Sequence, residues 1–419
     1  MKTREEPGVA SKMKLLFFLG HAEAYNVDAS ERALNEMTVM MDKSWEVHLT
    51  NSRKISYQNL TCNYDVHEVK FISSLNPLLS RPLFLLCSIY KGVKIVRKCG
   101  IHAVVTKGSH LVLGSVAYLV SRMTRRKCIV RVNEDEVLAV VLFFQMLNMP
   151  ILKSSIFVRA IEAILRKMEN FVLKSVDWIV THGPMDYQKI RKLTTKVTFV
   201  PLWVDVETFR SSSKNQISLL KKELLGIEEE VKVILFVGRF HPEKNVETLF
   251  YAYKKLLGTH RNLILVMVGT GPEEEKCRSL VEELGLIGKV KFLGYIPHKQ
   301  IHEYYKVADI YVLTSIWEEW SNTIMEAMAS RVPVIAANVG GNPYLVKDKE
   351  TGFLVPPRDP HVLADKIRYV LDHPKEMEKI VSNAYERIRK FDKRDIGELY
   401  KKTIAEAIRG REPISQFEI

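Results

Sequence analysis

Short apolar runs that alternate with amphipathic segments constrain this chain more than any other feature. From Val231 onward, "VKVILFVGR", "NLILVMVGTG", "VKFLGYI", "DIYVLTS", "VPVIAAN" and "GFLV" are interleaved with "NVETLFYAYKKLL", "PEEEKCRSLVEELG", "KQIHEYYKVA" and "NTIMEAMAS". Runs that are apolar throughout suit strands covered on both faces, and the segments between them carry helical spacing. Strands alternating with helices build right-handed βαβ units and a parallel sheet. The first half keeps the same rhythm in "MKLLFFLG", "WEVHLT", "VHEVKFI", "GIHAVVTKG", "KCIVRVN", "DWIVTHG" and "KVTFVPL", with helical spacing at about 28–41 and 155–174. The expected fold class is α/β, with two Rossmann-like doubly wound domains facing a cleft. Ligands of such sheets bind beyond the carboxyl ends of the strands.

A length of 419 residues agrees with two cores rather than one. The polar stretch "SSSKNQIS" interrupts the rhythm and marks a linker. The expected divisions are a flexible tail at 1–12, a first domain at 13–205, a linker at 206–230, a second domain at 231–391 and a terminal segment at 392–419. Five cysteines scatter without a Cys-x-x-Cys pair and read as buried thiols of a reducing compartment. No His/Cys spacing suggests a metal. The apolar run after Met13 is too short for a secretory signal, so the expected location is cytoplasmic.

"FVGRFHPEKN" sets Gly238 and Arg239 at the end of a strand and Lys244 just before a helix. Glycine admits close backbone approach, and a guanidinium with an ammonium suits a diphosphate. The same residues fit an ordinary strand-to-helix loop with solvated charges, and "VGTGP" is no more specific alone. "SIWEEWSNTIMEAM" is more demanding. It places Glu318 and Glu326 around Asn322, Thr323 and Ile324, which open a helix. The free N–H groups and positive dipole end of such a helix suit a phosphate, and Glu326 lies one turn further on.

In order and spacing, "VGRFHPEKNVETL", "VGTGPEEEKCRSLVEELGL", "VKFLGYIPHKQIHEYYKVADIYVLTSIWEEWSNTIMEAMASRVPVIAANVGG" and "TGFLVPPRDPHVLADKI" resemble the donor-binding half of the retaining GT-B glycosyltransferases (group 1, family four, mannosyl- and glucosyltransferase-like). The likeness runs from about Val231 to Phe391. The first half resembles the family only in organisation, apart from "KVTFVPLWVDVETF", which is similar to its interdomain strand and turn. The resemblance implies that Gly238, Arg239, Lys244, Asn322, Thr323, Ile324 and Glu326 bind a UDP- or GDP-linked sugar. Arg239 and Lys244 would hold the diphosphate, Glu326 the ribose and Glu318 the sugar hydroxyls. Arg239, Lys244 and Glu318 are the implied catalytic residues of a retaining, metal-independent hexosyltransferase. Its chemistry is electrostatic stabilisation of the leaving diphosphate, with no cofactor beyond the donor. The first domain would take the acceptor, and a helix near Ile396–Ile408 would cross back to it.

Departures from the family pattern concern Glu319 and Arg331, which replace glycines, and Tyr344, which replaces an acid. A Gly-Gly turn after the first strand is replaced by "GHAEAYN". Gly340 and Gly341 are retained. Glu319 and Trp320 would crowd or hydrogen-bond the hexose. These departures leave two other readings open: a noncatalytic nucleotide-sugar-binding subunit, and an epimerase or phosphorylase on the same fold.

The formal charge is +13, and no acid occurs between Glu68 and Glu134. That interval holds Lys70, Arg81, Lys91, Lys94, Arg97, Lys98, Lys107, Arg122, Arg125, Arg126, Lys127 and Arg131. The first half therefore expects an anionic partner. Its interrupted apolar runs, Val137–Leu152 among them, fit either a buried helix with solvated basic faces or a patch resting on an anionic membrane near a lipid-linked acceptor. Nucleic acid is not an expected partner, since no aromatic platform or reading helix is present. His21 and His182 end or follow strands and read as loop residues or substrate contacts. "NEDE" at 133–136 reads as a helix cap or cleft rim rather than a metal site.

Overall fold

The computed structural model describes residues 12–18, 41, 45–51, 63–69, 77–106, 111–132, 137, 155–210 and 214–412. The chain divides into two compact units. One comprises Met1–Pro201 with Ile396–Glu418, and the other Leu202–Asp395.

The first unit carries a seven-stranded sheet ordered β3-β2-β1-β4-β5-β6-β7. Its strands are β1 Met13–Phe18, β2 Trp45–Asn51, β3 Asn63–Glu68, β4 Ala103–Thr106, β5 Lys127–Val132, β6 Trp178–Thr181 and β7 Val197–Phe199, and every pairing is parallel. Helices α1 Pro77–Cys99, α2 Val112–Thr124 and α3 Ser155–Ser175 connect β3 to β4, β4 to β5 and β5 to β6. These three crossovers step the same way across the sheet, so right-handedness puts all three helices on one face. Leu16, Phe18, Val96, Val104, Val116, Val130 and Ile179 form part of the core beneath them. Burial pushes the Cys128 thiol up to about 12, which keeps it protonated and unreactive.

Arg131, counted above among the basic surface residues, is fully buried on β5 and belongs to no surface patch. Its Nε donates to His182 Nε2 at 2.9 Å, and its guanidinium lies 5.3 Å from the Tyr400 ring centre. His182 Nδ1 in turn donates to the Val200 carbonyl at 2.6 Å. Both ring nitrogens serve the fold, which favours the structural reading of that histidine. His21, "GHAEAYN", "NEDE" and most of Val137–Leu152 lie outside the described residues.

The second unit carries a six-stranded parallel sheet ordered β10-β9-β8-β11-β12-β13. Its strands are β8 Lys232–Val237, β9 Leu263–Val268, β10 Val290–Gly294, β11 Ile310–Leu313, β12 Val334–Ala337 and β13 Phe353–Val355. The segment 206–230, expected as a linker, instead carries helix α4 Lys214–Leu220 and a π turn, Lys221–Leu225. Lys221 explains the attachment. Its buried ammonium contacts Asp309 at 3.0 Å and the carbonyls of Glu229 and Val231 at 3.2 and 2.9 Å. A buried ammonium is tolerated when its hydrogens are matched in this way. The helices that frame the candidate site are α5 Val246–Leu256, α6 His298–Lys306, α7 Asn322–Ala329 and α8 Asn342–Leu345. The last described helix, α9 Lys393–Arg409, starts in the second unit and continues in the first, where Ile396, Leu399, Tyr400, Ile404 and Ala407 are buried. Among the described residues, no helix is long and apolar enough to cross a membrane.

Candidate functional site

The carboxyl ends of β8 and β11 feed two loops that are tied together by backbone bonds. Beyond β8, Gly238 N–H donates to the Val268 carbonyl at 3.0 Å and Phe240 N–H to the Thr270 carbonyl at 2.9 Å. A Cβ on Gly269 would lie 1.9 Å from the Gly238 carbonyl oxygen, and one on Gly271 would lie 2.4 Å from that of Phe240. The glycines of "VGTGP" therefore serve close loop-to-loop approach. Pro242–Lys244 forms a 3₁₀ turn ended by Asn245 at φ 46, a left-handed residue that begins α5. The Asn245 amide fixes that turn by donating to Thr248 Oγ1 at 2.8 Å. Thr314 Oγ1 donates to the Lys244 carbonyl at 2.9 Å, and Ile316 N–H to the Glu243 carbonyl at 2.8 Å.

This stitching brings Lys244 to Glu318. The ammonium lies 2.6 Å from Glu318 Oε1, which also accepts from the buried Ser315 hydroxyl at 2.7 Å. The two side chains of the pair are 17% and 11% exposed, so the contact is largely shielded from solvent screening. Arg239 is different: its side chain is 76% exposed and reaches only Glu243, at 3.4 Å. It is an exposed cation rather than a preset one.

Ser321 caps α7, its hydroxyl accepting from Ile324 N–H at 3.4 Å. Asn322 is exposed, Thr323 half-buried and Ile324 buried, and Thr323 Oγ1 accepts from Tyr311 OH at 2.6 Å. One turn on, Glu326 is 6% exposed. Its Oε1 contacts His298 Nε2 at 2.9 Å, and its Oε2 accepts from Tyr305 OH at 2.8 Å. Burial, and then the Glu326 charge, hold the Tyr305 phenol well above its ordinary range, so it remains a donor.

Glu318 is positioned from below by two glycines. Gly341 N–H donates to the Glu318 carbonyl at 2.8 Å. A Cβ on Gly340 or Gly341 would fall 1.8 Å or 1.9 Å from the carbonyl oxygens of Glu318 and Glu319. Trp320, expected at the sugar, donates its Nε1–H to Met325 Sδ at 3.3 Å and packs on Phe391 with ring centres 5.7 Å apart. Arg331 adopts a left-handed backbone, at φ 59, with its guanidinium 3.9 Å from the Tyr385 ring centre. Stacking of that kind offsets part of the backbone cost.

With this geometry in place, the comparisons decide the kinship. The family model for glycosyl transferases group 1 matches residues 220–387. Over that stretch the chain is similar to the group 1 glycosyl transferases. An uncharacterized glycosyltransferase of Methanocaldococcus jannaschii is 35% identical over 176 residues, covering 42% of this chain and 43% of that protein. A D-inositol 3-phosphate glycosyltransferase of Corynebacterium glutamicum is 34% identical over 202 residues, covering 47% and 48%. The chain thus spans about half the length of the curated relatives it matches. Over nearly the whole chain the fold is that of known GT-B structures. Sucrose-phosphate synthase from Thermosynechococcus elongatus superposes with a TM-score of 0.74 at 21% identity, covering 94% of this chain and 100% of that one. Anabaena HepE in complex with UDP-glucose gives 0.68 at 19% identity, covering 94% and 100%.

In this matched region, the structure joins Lys244 to Glu318 directly and leaves Arg239 outside that contact. Sequence reading missed His298 and Tyr305 on Glu326. The available signal was their spacing of seven on α6, which places them on one helix face.

Proposed function

We propose that this protein is a retaining, metal-independent hexosyltransferase that moves a hexose from a nucleotide-diphosphate sugar to an acceptor hydroxyl. The observation that carries this reading is one continuous loop and helix with a carboxylate at each end. Glu318 is held by an ammonium, Glu326 by an imidazole and a phenol, and the start of α7 lies between them. Ionised Glu326 retains accepting capacity beyond His298 and Tyr305, enough for a ribose diol. Glu318 accepts from the sugar hydroxyls. Lys244, Arg239 and the backbone N–H groups of Asn322 and Thr323 receive the diphosphate, and Gly238 leaves room for its approach. As the glycosidic bond breaks, charge gathers on that diphosphate, and the acceptor hydroxyl attacks on the face it leaves. The donor carries UDP or GDP; HepE bound to UDP-glucose supports the former.

The two carboxylates separate in a binding experiment. Glu326→Gln should weaken the bare nucleoside diphosphate by roughly 10- to 100-fold, the scale of a charge-assisted hydrogen bond. Glu318→Gln should not weaken it, because that carboxylate is assigned to the sugar hydroxyls, yet sugar transfer should fall. Calorimetry with the nucleotide and turnover with the nucleotide sugar make the comparison. Equal loss of nucleotide affinity in both variants contradicts the assignment.

The first unit supports a membrane-proximal acceptor. On α1, Leu83, Leu86, Tyr90, Lys94 and Arg97 are all exposed at spacings of three and four, which makes one stripe, apolar at one end and basic at the other. Helix α3 adds exposed Ile164, Met168 and Phe171 with Lys167 and Lys174, and Phe171 meets Tyr118 of α2 edge-on at 6.0 Å. Apolar side chains ringed by cations suit the interface of an anionic bilayer, where each cation contributes about 1 kcal/mol. The protein should float with acidic vesicles and not with neutral ones, and salt should release it. Lys94, Arg97, Lys167 and Lys174 changed together to Glu should abolish flotation and leave nucleotide affinity intact. Wild-type protein that floats with neither vesicle rules the membrane reading out.

A further inference from the structure

We propose that His48, His67 and Cys99 form a zinc site at the edge of the seven-stranded sheet. Among the described residues this is the one group of three His, Cys, Asp or Glu side chains whose ligand atoms come together, all within 4.8 Å of one another. In the parallel pairing of β2 with β3, His48 is opposite Asp65 and Thr50 is opposite His67. Side chains alternate along a strand, so His48, Asp65 and His67 project from one face. Cys99 ends α1 and reaches the same cluster as a free thiol. The sequence intervals, nineteen from His48 to His67 and thirty-two to Cys99, match no metal motif, and the fold alone assembles the group.

The hydrogen bonds orient the first imidazole. His48 Nε2 lies 3.0 Å from Glu46 Oε1, and Glu46 Oε2 lies 2.9 Å from the Lys14 ammonium. A carboxylate so paired accepts, so His48 Nε2 donates to it and Nδ1 presents a lone pair. That lone pair points at His67 Nε2, 2.9 Å away, with the two rings stacked. An imidazole whose far N–H is fixed by a carboxylate is the usual state of a metal-binding histidine, since it sets the tautomer and raises ligand basicity. His48 is 1% exposed and cannot swing away. The exposed Asp65 carboxylate, 3.9 Å from His48 Nδ1, supplies a fourth donor.

Two imidazoles, one thiolate and one carboxylate make a borderline-soft tetrahedral set that suits zinc and not magnesium or calcium. Metal–nitrogen and metal–sulfur bonds of about 2.0–2.1 and 2.3 Å put tetrahedral neighbours roughly 3.3–3.6 Å apart. Side-chain shifts of about an ångström at His67 and Cys99 bring the three ligand atoms to that spacing, and rotation of the exposed Asp65 side chain brings in its carboxylate. On binding, the Cys99 thiol releases its proton to solvent, and His67 moves its proton from Nε2 to Nδ1 by exchange with water. Zinc then carries the thiolate and carboxylate charges without net excess. The product is a clamp between the edge strand β3 and the end of α1.

The full-length protein, freed of metal by a chelator, is dialysed against micromolar zinc in a large excess of magnesium. One zinc per chain should remain bound. His67→Gln and Cys99→Ser should each weaken zinc by at least about tenfold. Cobalt in place of zinc should give sulfur-to-metal charge transfer and tetrahedral visible bands, and Cys99→Ser should lose the charge-transfer band. Circular dichroism of both variants in chelator establishes that they are folded. Wild-type protein that retains no more zinc than a folded His67→Gln/Cys99→Ser double variant overturns the proposal, as does a cobalt spectrum unchanged by Cys99→Ser.

Discussion

Lys244→Ala should lower sugar transfer by roughly 100- to 1,000-fold, the range observed when a preorganised group facing a developing anion is removed. The expected size follows from placement. Lys244 ends a 3₁₀ turn pinned by Asn245 and Thr314, and its ammonium is aligned on Glu318 at 2.6 Å before any substrate arrives. Little reorganisation is left for the transition state. Arg239, at 76% exposure and with a single contact at 3.4 Å, must still be ordered, so Arg239→Ala should cost less than Lys244→Ala. A folded Lys244→Ala protein that keeps more than about a tenth of wild-type turnover removes this residue from the chemistry.

Gly341→Ala should be among the most damaging small substitutions in the second unit. Its backbone, at φ −79, is one that alanine adopts freely, so the effect isolates the clash of a Cβ lying 1.9 Å from the Glu319 carbonyl oxygen. Relieving it requires moving the Glu318–Trp320 backbone, at a cost on the order of 3 kcal/mol. For a unit of this size that corresponds to a fall in Tm of roughly 6–12 °C. Transfer should fall further than stability, because the displaced backbone carries Glu318. Gly258→Ala is the control: its Cβ would meet only the Lys255 carbonyl oxygen, at an ordinary 3.5 Å. A Gly341→Ala protein that melts within a degree of Gly258→Ala contradicts this account.

The alternation of strands and helices was legible because parallel strands need continuous apolar runs, and β8 to β13 display them plainly. The carboxylates at 318 and 326 were legible as a pair because one short loop and one helical turn carry both. Their partners were not. His298 and Tyr305 reach Glu326 across twenty-eight and twenty-one residues, and Lys244 reaches Glu318 across seventy-four. Such contacts depend on which loops lie side by side, which no local pattern encodes. Arg131 shows the converse. It looked like one more surface cation in an acid-free interval, and only the packing of β5 reveals a buried guanidinium bonded to His182 and stacked on Tyr400.

That stacking partner belongs to α9, and α9 imposes an order on synthesis. Leu202–Asp395 is an unbroken stretch of chain, whereas the first unit is completed by residues from Ile396 onward. Domains fold largely as units while the chain emerges from the ribosome, usually the N-terminal one first. Here the first unit to emerge lacks Ile396, Leu399, Tyr400 and Ile404 from its interior until the whole of the second has been made. A nascent chain stalled before Ile396 should therefore display a protease-resistant second unit beside a still-digestible first one.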